Sequence, residues 1–218
     1  MELGQTIMEL RRELVWHGFG QQDCIHATSD PQAVRDVVFD LISKHEFRID
    51  ATILEKSKAA PQVRATEIRF YQYAWYYHFK HVAPLIFSKD DEAFVCAASI
   101  GTHKKRASFK AAVNDVVQQA VPTLAWKAAF WPAISDPCLL VADYCAWALR
   151  RKWENGNTRS YDIIKNKIAT EFDLWRHAKS QGERRRSSAG DEPRVARESG
   201  APDYGVEANG EDRASRAK

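Results

Sequence analysis

Ser135-Asp136-Pro137-Cys138-Leu139-Leu140-Val141-Ala142-Asp143-Tyr144-Cys145-Ala146-Trp147-Ala148-Leu149-Arg150-Arg151-Lys152-Trp153 is the best-defined helical stretch of the sequence, and the rest of the chain is read outward from it. Asp136 is a good N-cap residue, and Pro137 suits the first helical position, where an N–H has no intrahelical partner. Arg150, Arg151 and Lys152 place positive charge in the last turn, where the helix dipole favours it. Gly156 follows as a C′ residue able to take a left-handed conformation. Asp143 is the exception in this pattern. Leu139, Leu140, Ala146 and Trp147, one turn before and after it, form an apolar surface expected to face the interior. A carboxylate there needs a metal, a cation or a proton to offset its desolvation, or a buried partner such as Arg48, Lys56 or a hydroxyl.

Strand and helix signals alternate on either side. Leu3, Ile7, Leu10 and Leu14 recur at helical spacing, so a helix ending near His17-Gly18 is expected at the start. Cys24 to Thr28 reads as a short strand. Asp30-Pro31 reads as a cap opening a helix carried by Ala33, Val37, Leu41 and Lys44 to His45. Phe47 to Leu54 alternates at period two, a strand. Pro61 to Phe87 reads as one long helix that Pro84 kinks or ends. Its aromatic run, Phe70 to Phe79, suits burial between layers better than a base-stacking platform. Phe94 to Ile100 and Ala125 to Phe130 read as strands, with a helix from His103 to Val121 between them. Ser160 to His177 reads as a last amphipathic helix, with Ile163, Ile164, Ile168, Phe172 and Trp175 on one face. Helices alternating with strands indicate an α/β layer fold.

Composition sets the outer bounds. The 218 residues carry 32 Lys+Arg against 29 Asp+Glu, with 44% apolar residues, an ordinary globular balance. No run of eighteen apolar residues occurs, so no transmembrane helix is expected, and charges at Glu9, Arg11, Arg12 and Glu13 argue against a signal peptide. Four scattered cysteines without a Cys-x-x-Cys fit a reduced, cytoplasmic protein. Residues 178–218 hold five of the ten glycines, nine Lys/Arg and eight Asp/Glu, with almost nothing to bury, and are expected to be a disordered polar tail. Residues 1–177 are then one domain, large enough to bury about 70% of its unfolded surface.

Other residues are candidates for chemistry. Asp50 interrupts its strand on a mixed face with Arg48, Thr52 and Lys56; an ion pair with Arg48 or Lys56 accounts for it equally well. Strand ends are where α/β folds place their sites. His26 is a candidate beside Asp23, with a satisfied surface or core histidine as the plainer reading. His103, Lys104, Lys105 and Arg106 put cations in a first helical turn, where they oppose the dipole. Free N–H groups and basic side chains there suit a phosphate, and a solvated turn is the alternative. His78 and His81 lack a third partner for a metal.

Three segments carry a resemblance. Arg48-Ile49-Asp50-Ala51-Thr52-Ile53-Leu54-Glu55-Lys56-Ser57-Lys58, Val141-Ala142-Asp143-Tyr144-Cys145-Ala146-Trp147-Ala148-Leu149 and Arg159-Ser160-Tyr161-Asp162-Ile163-Ile164 resemble the domain-of-unknown-function 3800 family, as does the short element Cys24-Ile25-His26-Ala27. The likeness spans about residues 5 to 177. It implies a ribonuclease-H-like fold, a mixed sheet with helices packed on it. It also implies a nuclease-type site in which carboxylates bind Mg²⁺ or Mn²⁺ to hydrolyse a phosphodiester. In that scheme Asp143 matches the family's helix carboxylate, His26 its second polar position, and Asp50 and Lys56 the strand that follows, with Asp143 and Asp50 as the metal ligands. Two departures stand out. The family's N-terminal Asp-Glu-Ser-Gly strand has no counterpart in the chain, and Leu140 stands where a Gln is usual. The expectation is therefore a nuclease-like protein with an N-terminal strand missing and an incomplete site, its partner nucleic acid. A non-catalytic scaffold binding nucleic acid or protein is the alternative.

Overall fold

The computed structural model describes residues 3–19, 25–88, 90–99, 103–120 and 125–176, the side chains of 103–106 and 109 excepted. All lie in the first of two units, Met1–Ser180 and Gln181–Lys218. The expected tail thus lies outside the described residues, as do Cys24, Gly101 and Thr102.

Seven helices and four strands are described: α1 (Leu3–Trp16), α2 (Gln32–Ser43), β1 (Ile49–Ile53), α3 (Pro61–Arg64), α4 (Glu67–Ile86), β2 (Glu92–Ala98), α5 (His103–Ala120), β3 (Ala125–Trp131), α6 (Pro137–Asn155), α7 (Arg159–Ile164) and β4 (Ile168–Asp173). The class is mixed α/β, as the alternation predicts. Among the described residues the strands form two separate parallel pairs, β1 with β4 and β2 with β3. Each pair has its own core. Ile7, Leu10 and Leu14 of α1, Val38, Phe39 and Ile42 of α2, and Leu140, Tyr144, Cys145 and Ala148 of α6 pack with Ile49 and Ala51 of β1. Phe79 and Ala83 of α4 and Val113, Val116 and Val117 of α5 pack with Val95, Trp126 and Phe130 of the second pair.

Helix α6 forms as its ends dictate. Asp136 Oδ1 accepts from the N–H groups of Cys138 and Leu139, and Gly156 closes the helix at φ 66°. Helix α1 buries Ile7, Leu10 and Leu14 of the stripe read from the sequence, with Leu3 half-buried at its start.

Four local expectations are corrected. Ile25 to Thr28 is a turn, not a strand, because its amides are taken by side chains, as shown below. Asp30 does not cap α2; Pro31 occupies the cap position, and the buried stripe is Val34, Val38, Phe39 and Ile42, with Val37 exposed. The stretch from Pro61 breaks at Ala65-Thr66, where the Thr66 hydroxyl accepts the Arg69 N–H and caps α4; Pro84 sits within the last turn of α4. Residues 160–177 are not one helix. Helix α7 stops at Ile164, and Ile168–Asp173 extends beside β1, with Thr52 opposite Phe172. The apolar residues at helical spacing also alternate as Ile168, Thr170 and Phe172, and a vacant edge on β1 decides for the strand.

Helix α4 lies along the first strand pair. Its aromatic residues are half-buried, and only Phe79 of the run is fully covered. Tyr73 stacks with Trp175, His81 stacks on Phe172 at 4.2 Å, and the Thr52 hydroxyl meets His78 Nδ1 at 3.0 Å. Both helix histidines therefore have structural partners. The other side of β1 opens on a groove of about 1020 Å³, floored by Val141, Ala142, Cys145, Ala146 and Leu149 of α6, with Leu3 in its wall. Among the described residues no helix is long and apolar enough to cross a membrane.

Candidate functional site

Two carboxylates from distant parts of the chain hold the turn between α1 and α2. Asp143 Oδ2 accepts the Ala27 N–H at 2.9 Å and lies 3.0 Å from His26 Nδ1. Asp30 Oδ2 accepts the His26 N–H at 2.9 Å and the hydroxyl of Tyr144. Arg35, from the first turns of α2, closes the arrangement by donating Nε to the Ala27 carbonyl at 2.7 Å and Nη2 to the Thr28 carbonyl. The buried donors and acceptors of the turn thus meet partners outside it, which is why it has no need of a strand ladder.

The environment of Asp143 differs from the sequence reading. Its side chain is 31% exposed, and Ala142 and Ala146 are exposed as well; the buried face of α6 is Leu140, Tyr144, Cys145 and Ala148. The small alanines look onto the groove, so that side of the helix is uncovered. The carboxylate is compensated by a backbone N–H and by His26, whose side chain is half exposed.

The pair has a definite chemical capacity. Nδ1 lies 3.0 Å from the Asp143 carboxylate, to which a protonated Nδ1 would donate, and 3.4 Å from the Thr28 N–H, from which an unprotonated Nδ1 would accept. Among the described residues no hydrogen bond engages Nε2. The ring is thus held through Nδ1, and Nε2 is left open to a further partner. Asp30 sets the backbone of His26, and Asp143 sets its ring.

Asp30 and Tyr144 were missed by reading the sequence, because Asp-Pro is an ordinary cap signal and Tyr144 an ordinary core residue. Burial lifts the Asp30 carboxyl above its ordinary value, against the opposing bonds from Tyr144 and the His26 N–H and the charge of Arg35. Burial also raises the Tyr144 phenol, and the adjacent Asp30 raises it further.

Asp50 and Lys56 do not join this pair. Asp50 takes Arg48 Nε at 2.7 Å and Nη2 at 3.0 Å, and Thr170 Oγ1 at 2.8 Å, so both its oxygens are committed. The Arg48 guanidinium holds this carboxyl below its ordinary range. Burial lowers the neighbouring His78 imidazole, with Asp50 pulling the other way. Lys56 sits in a short 3-10 turn, Nζ 5.8 Å from the centre of the Phe70 ring. Asp50 and Lys56 line the groove beside β1, whereas Asp143 is not among its lining residues. At 100° per residue, Asp143 faces about a third of a turn away from the groove floor. The backbone of His103 to Arg106 opens α5 as expected, and the side chains of these residues lie outside the described set.

The donor set does not suit the Mg²⁺ or Mn²⁺ that the resemblance implies. Such hard cations take several oxygen ligands. Asp143 supplies one carboxylate already engaged through Oδ2, Asp50 is bound elsewhere, and among the described residues no three His, Cys, Asp or Glu side chains converge.

No protein-family model, curated protein or solved structure matches the chain.

Proposed function

We propose that the chain is a ribonuclease-H-like protein related to the metal-dependent nucleases of the domain-of-unknown-function 3800 family, that it engages nucleic acid, and that its catalytic site is incomplete. The observation carrying this reading is the Asp143–His26 contact. Two residues 117 positions apart, both picked out by the resemblance, meet with an imidazole nitrogen left open. Parallel strand pairs with helices against them suit the fold, and the groove along β1 offers an edge and an apolar floor to a further strand. Incompleteness follows from the ligand shortfall: one engaged carboxylate and one imidazole are too few for a hard divalent cation, which takes several oxygen ligands.

In this reading His26 Nε2 contacts a bound phosphodiester without cleaving it, Asp143 fixes the ring, and Asp30 with Tyr144 fixes the turn. The second reading, a non-catalytic scaffold, is favoured by the Ala27 N–H on the same Asp143 oxygen, since a carboxylate that ties down a turn needs no reaction to explain it.

Labelled single- and double-stranded DNA and RNA oligonucleotides test both. The expected result is binding that persists in EDTA, with no cleavage in Mg²⁺ or Mn²⁺ above that of Asp143→Asn. Failure to bind any of the four at low salt refutes the nucleic-acid reading. Metal-dependent cleavage abolished by Asp143→Asn refutes incompleteness. Oligonucleotide binding unchanged in His26→Ala, in a chain whose stability drops only with Asp143→Asn, favours the scaffold.

A further inference from the structure

A second pocket lies between the N-terminal half of α2 and the C-terminal half of α6. Its volume is about 340 Å³, and Thr28, Gln32, Arg35, Trp147, Arg150, Arg151, Glu154 and Asn157 line it. Three guanidinium groups thus face one carboxylate. Two of them share one indole: Arg35 Cζ is 4.6 Å and Arg151 Cζ 5.9 Å from the centre of the Trp147 ring. A ring face attracts one cation, but two cations on the same ring repel each other and lose hydration.

The hydrogen bonds show which charge is unspent. Arg35 is pinned to the carbonyls of Ala27 and Thr28 and to Gln32 Oε1. Arg150 Nε is bound to Glu154 at 2.8 Å, which also removes the pocket's one carboxylate from play. Gln32 donates to Asp36, and Asp36 takes Arg159, so the charge at that rim is paired. Arg151 differs. Its Nη1 makes one long contact to Asn155 at 3.4 Å, and its Nε is shielded from solvent with no partner. The unspent donors of Arg151 that a ligand can reach are therefore on its terminal nitrogens, where an anion in the pocket would engage the guanidinium.

We propose that this pocket is a phosphate-ester site, with Arg151 as its principal charged donor, the terminal nitrogens of Arg150 (held through Nε by Glu154) as a second, Trp147 as its floor and Arg35 as a fixed charge at its back. Guanidinium forks match phosphate oxygens in pairs, and the ring restricts where each fork sits. The volume exceeds that of a lone phosphate and leaves room for the attached sugar. As to ligand class the inference rests on the nucleic-acid reading; the pocket itself rests on its own geometry.

The test titrates the full chain separately with inorganic phosphate and with a labelled single-stranded RNA or DNA 12-mer, at low and moderate salt. Arg151→Gln, Arg150→Gln and Arg151→Lys are compared, each checked for an unchanged circular dichroism spectrum. The expected result is roughly tenfold weaker binding of both probes in each Gln variant, partial recovery with Lys, and a shallower salt slope for the 12-mer. Should Arg151→Gln not fold, Arg150→Gln, with its side chain 63% exposed, carries the test alone. If the 12-mer binds equally well to folded variants and phosphate does not bind, the pocket is refuted and the nucleic-acid reading survives. If phosphate binds and is lost in Arg151→Gln while no 12-mer binds, the pocket holds a free phosphate compound and the nucleic-acid reading falls.

Discussion

Replacing Tyr144 by Phe removes one hydroxyl from the interior and leaves almost everything else in place. The residue is fully buried, and its ring meets Phe39 edge-on at 5.4 Å, a contact that Phe retains. No cavity forms, so the cost falls on Asp30, itself only 6% exposed. Asp30 then keeps the His26 N–H and the charge of Arg35 but loses its one side-chain donor. A hydrogen bond to a charged group contributes about 1.5–3 kcal/mol, so about 2 kcal/mol is expected near neutral pH, or roughly 4–8 °C in Tm.

The pH dependence gives a sharper check. Asp30 has a folded pKa above its unfolded value, so the native state binds its proton more tightly. Ionising it therefore costs stability as pH rises from the unfolded value through the folded one. The Tyr144 bond offsets part of that cost, and Phe removes the offset. The destabilisation should be small near pH 4 and grow towards pH 7.5. Urea unfolding of both proteins across this range measures it. A difference below about 0.5 kcal/mol at pH 7.5, or one equal at both ends, would refute the assignment of Asp30 as a buried ionised acceptor.

Three further outcomes are expected. Glu171 is desolvated, yet bonds from Lys152, Tyr161 and Trp153 hold its carboxyl below its ordinary value, so its contribution is present above the unfolded pKa and fades as pH falls through the folded one. Lys152→Met should thus cost about 1–3 kcal/mol at pH 7, discounted for partial exposure, and progressively less as pH falls through the folded value of Glu171; a cost unchanged across that fall in chemical denaturation would contradict the pairing. Gly156→Ala, at φ 66° with nothing within 4 Å of the added carbon, should cost about 1–2 kcal/mol through backbone strain alone, and an unchanged Tm would argue against the left-handed cap. Cys145 is buried, and its thiol is pushed up to about 12, whereas Cys138 is exposed. A disulfide reagent at pH 8 should therefore modify Cys138 well before Cys145, as peptide mapping would reveal.

The elements legible in the sequence were those whose ends carry their own chemistry. Asp136, Pro137 and Gly156 bracket α6 by capping and backbone freedom alone, and Leu3 to Leu14 declares α1 by spacing. Asp143 stood out because an ionised group among apolar neighbours demands compensation, and that demand can be read without coordinates. How it is met could not be read, because the Ala27 amide and the His26 ring arrive from 116 and 117 residues away.

The same division accounts for the misreadings. Ile164, Ile168, Phe172 and Trp175 satisfy a helical period, and Ile168, Thr170 and Phe172 satisfy a strand period; only the open edge of β1 selects between them. Asp30 looks like a cap until Tyr144 takes its oxygen. Arg150 and Arg151 look like dipole complements until Arg35 comes to share Trp147 with one of them. Local backbone preference and hydropathy period act over a turn or two and are written in consecutive residues. Pairing, desolvation and the meeting of like charges depend on which segments share a neighbourhood, and that is decided when the chain packs.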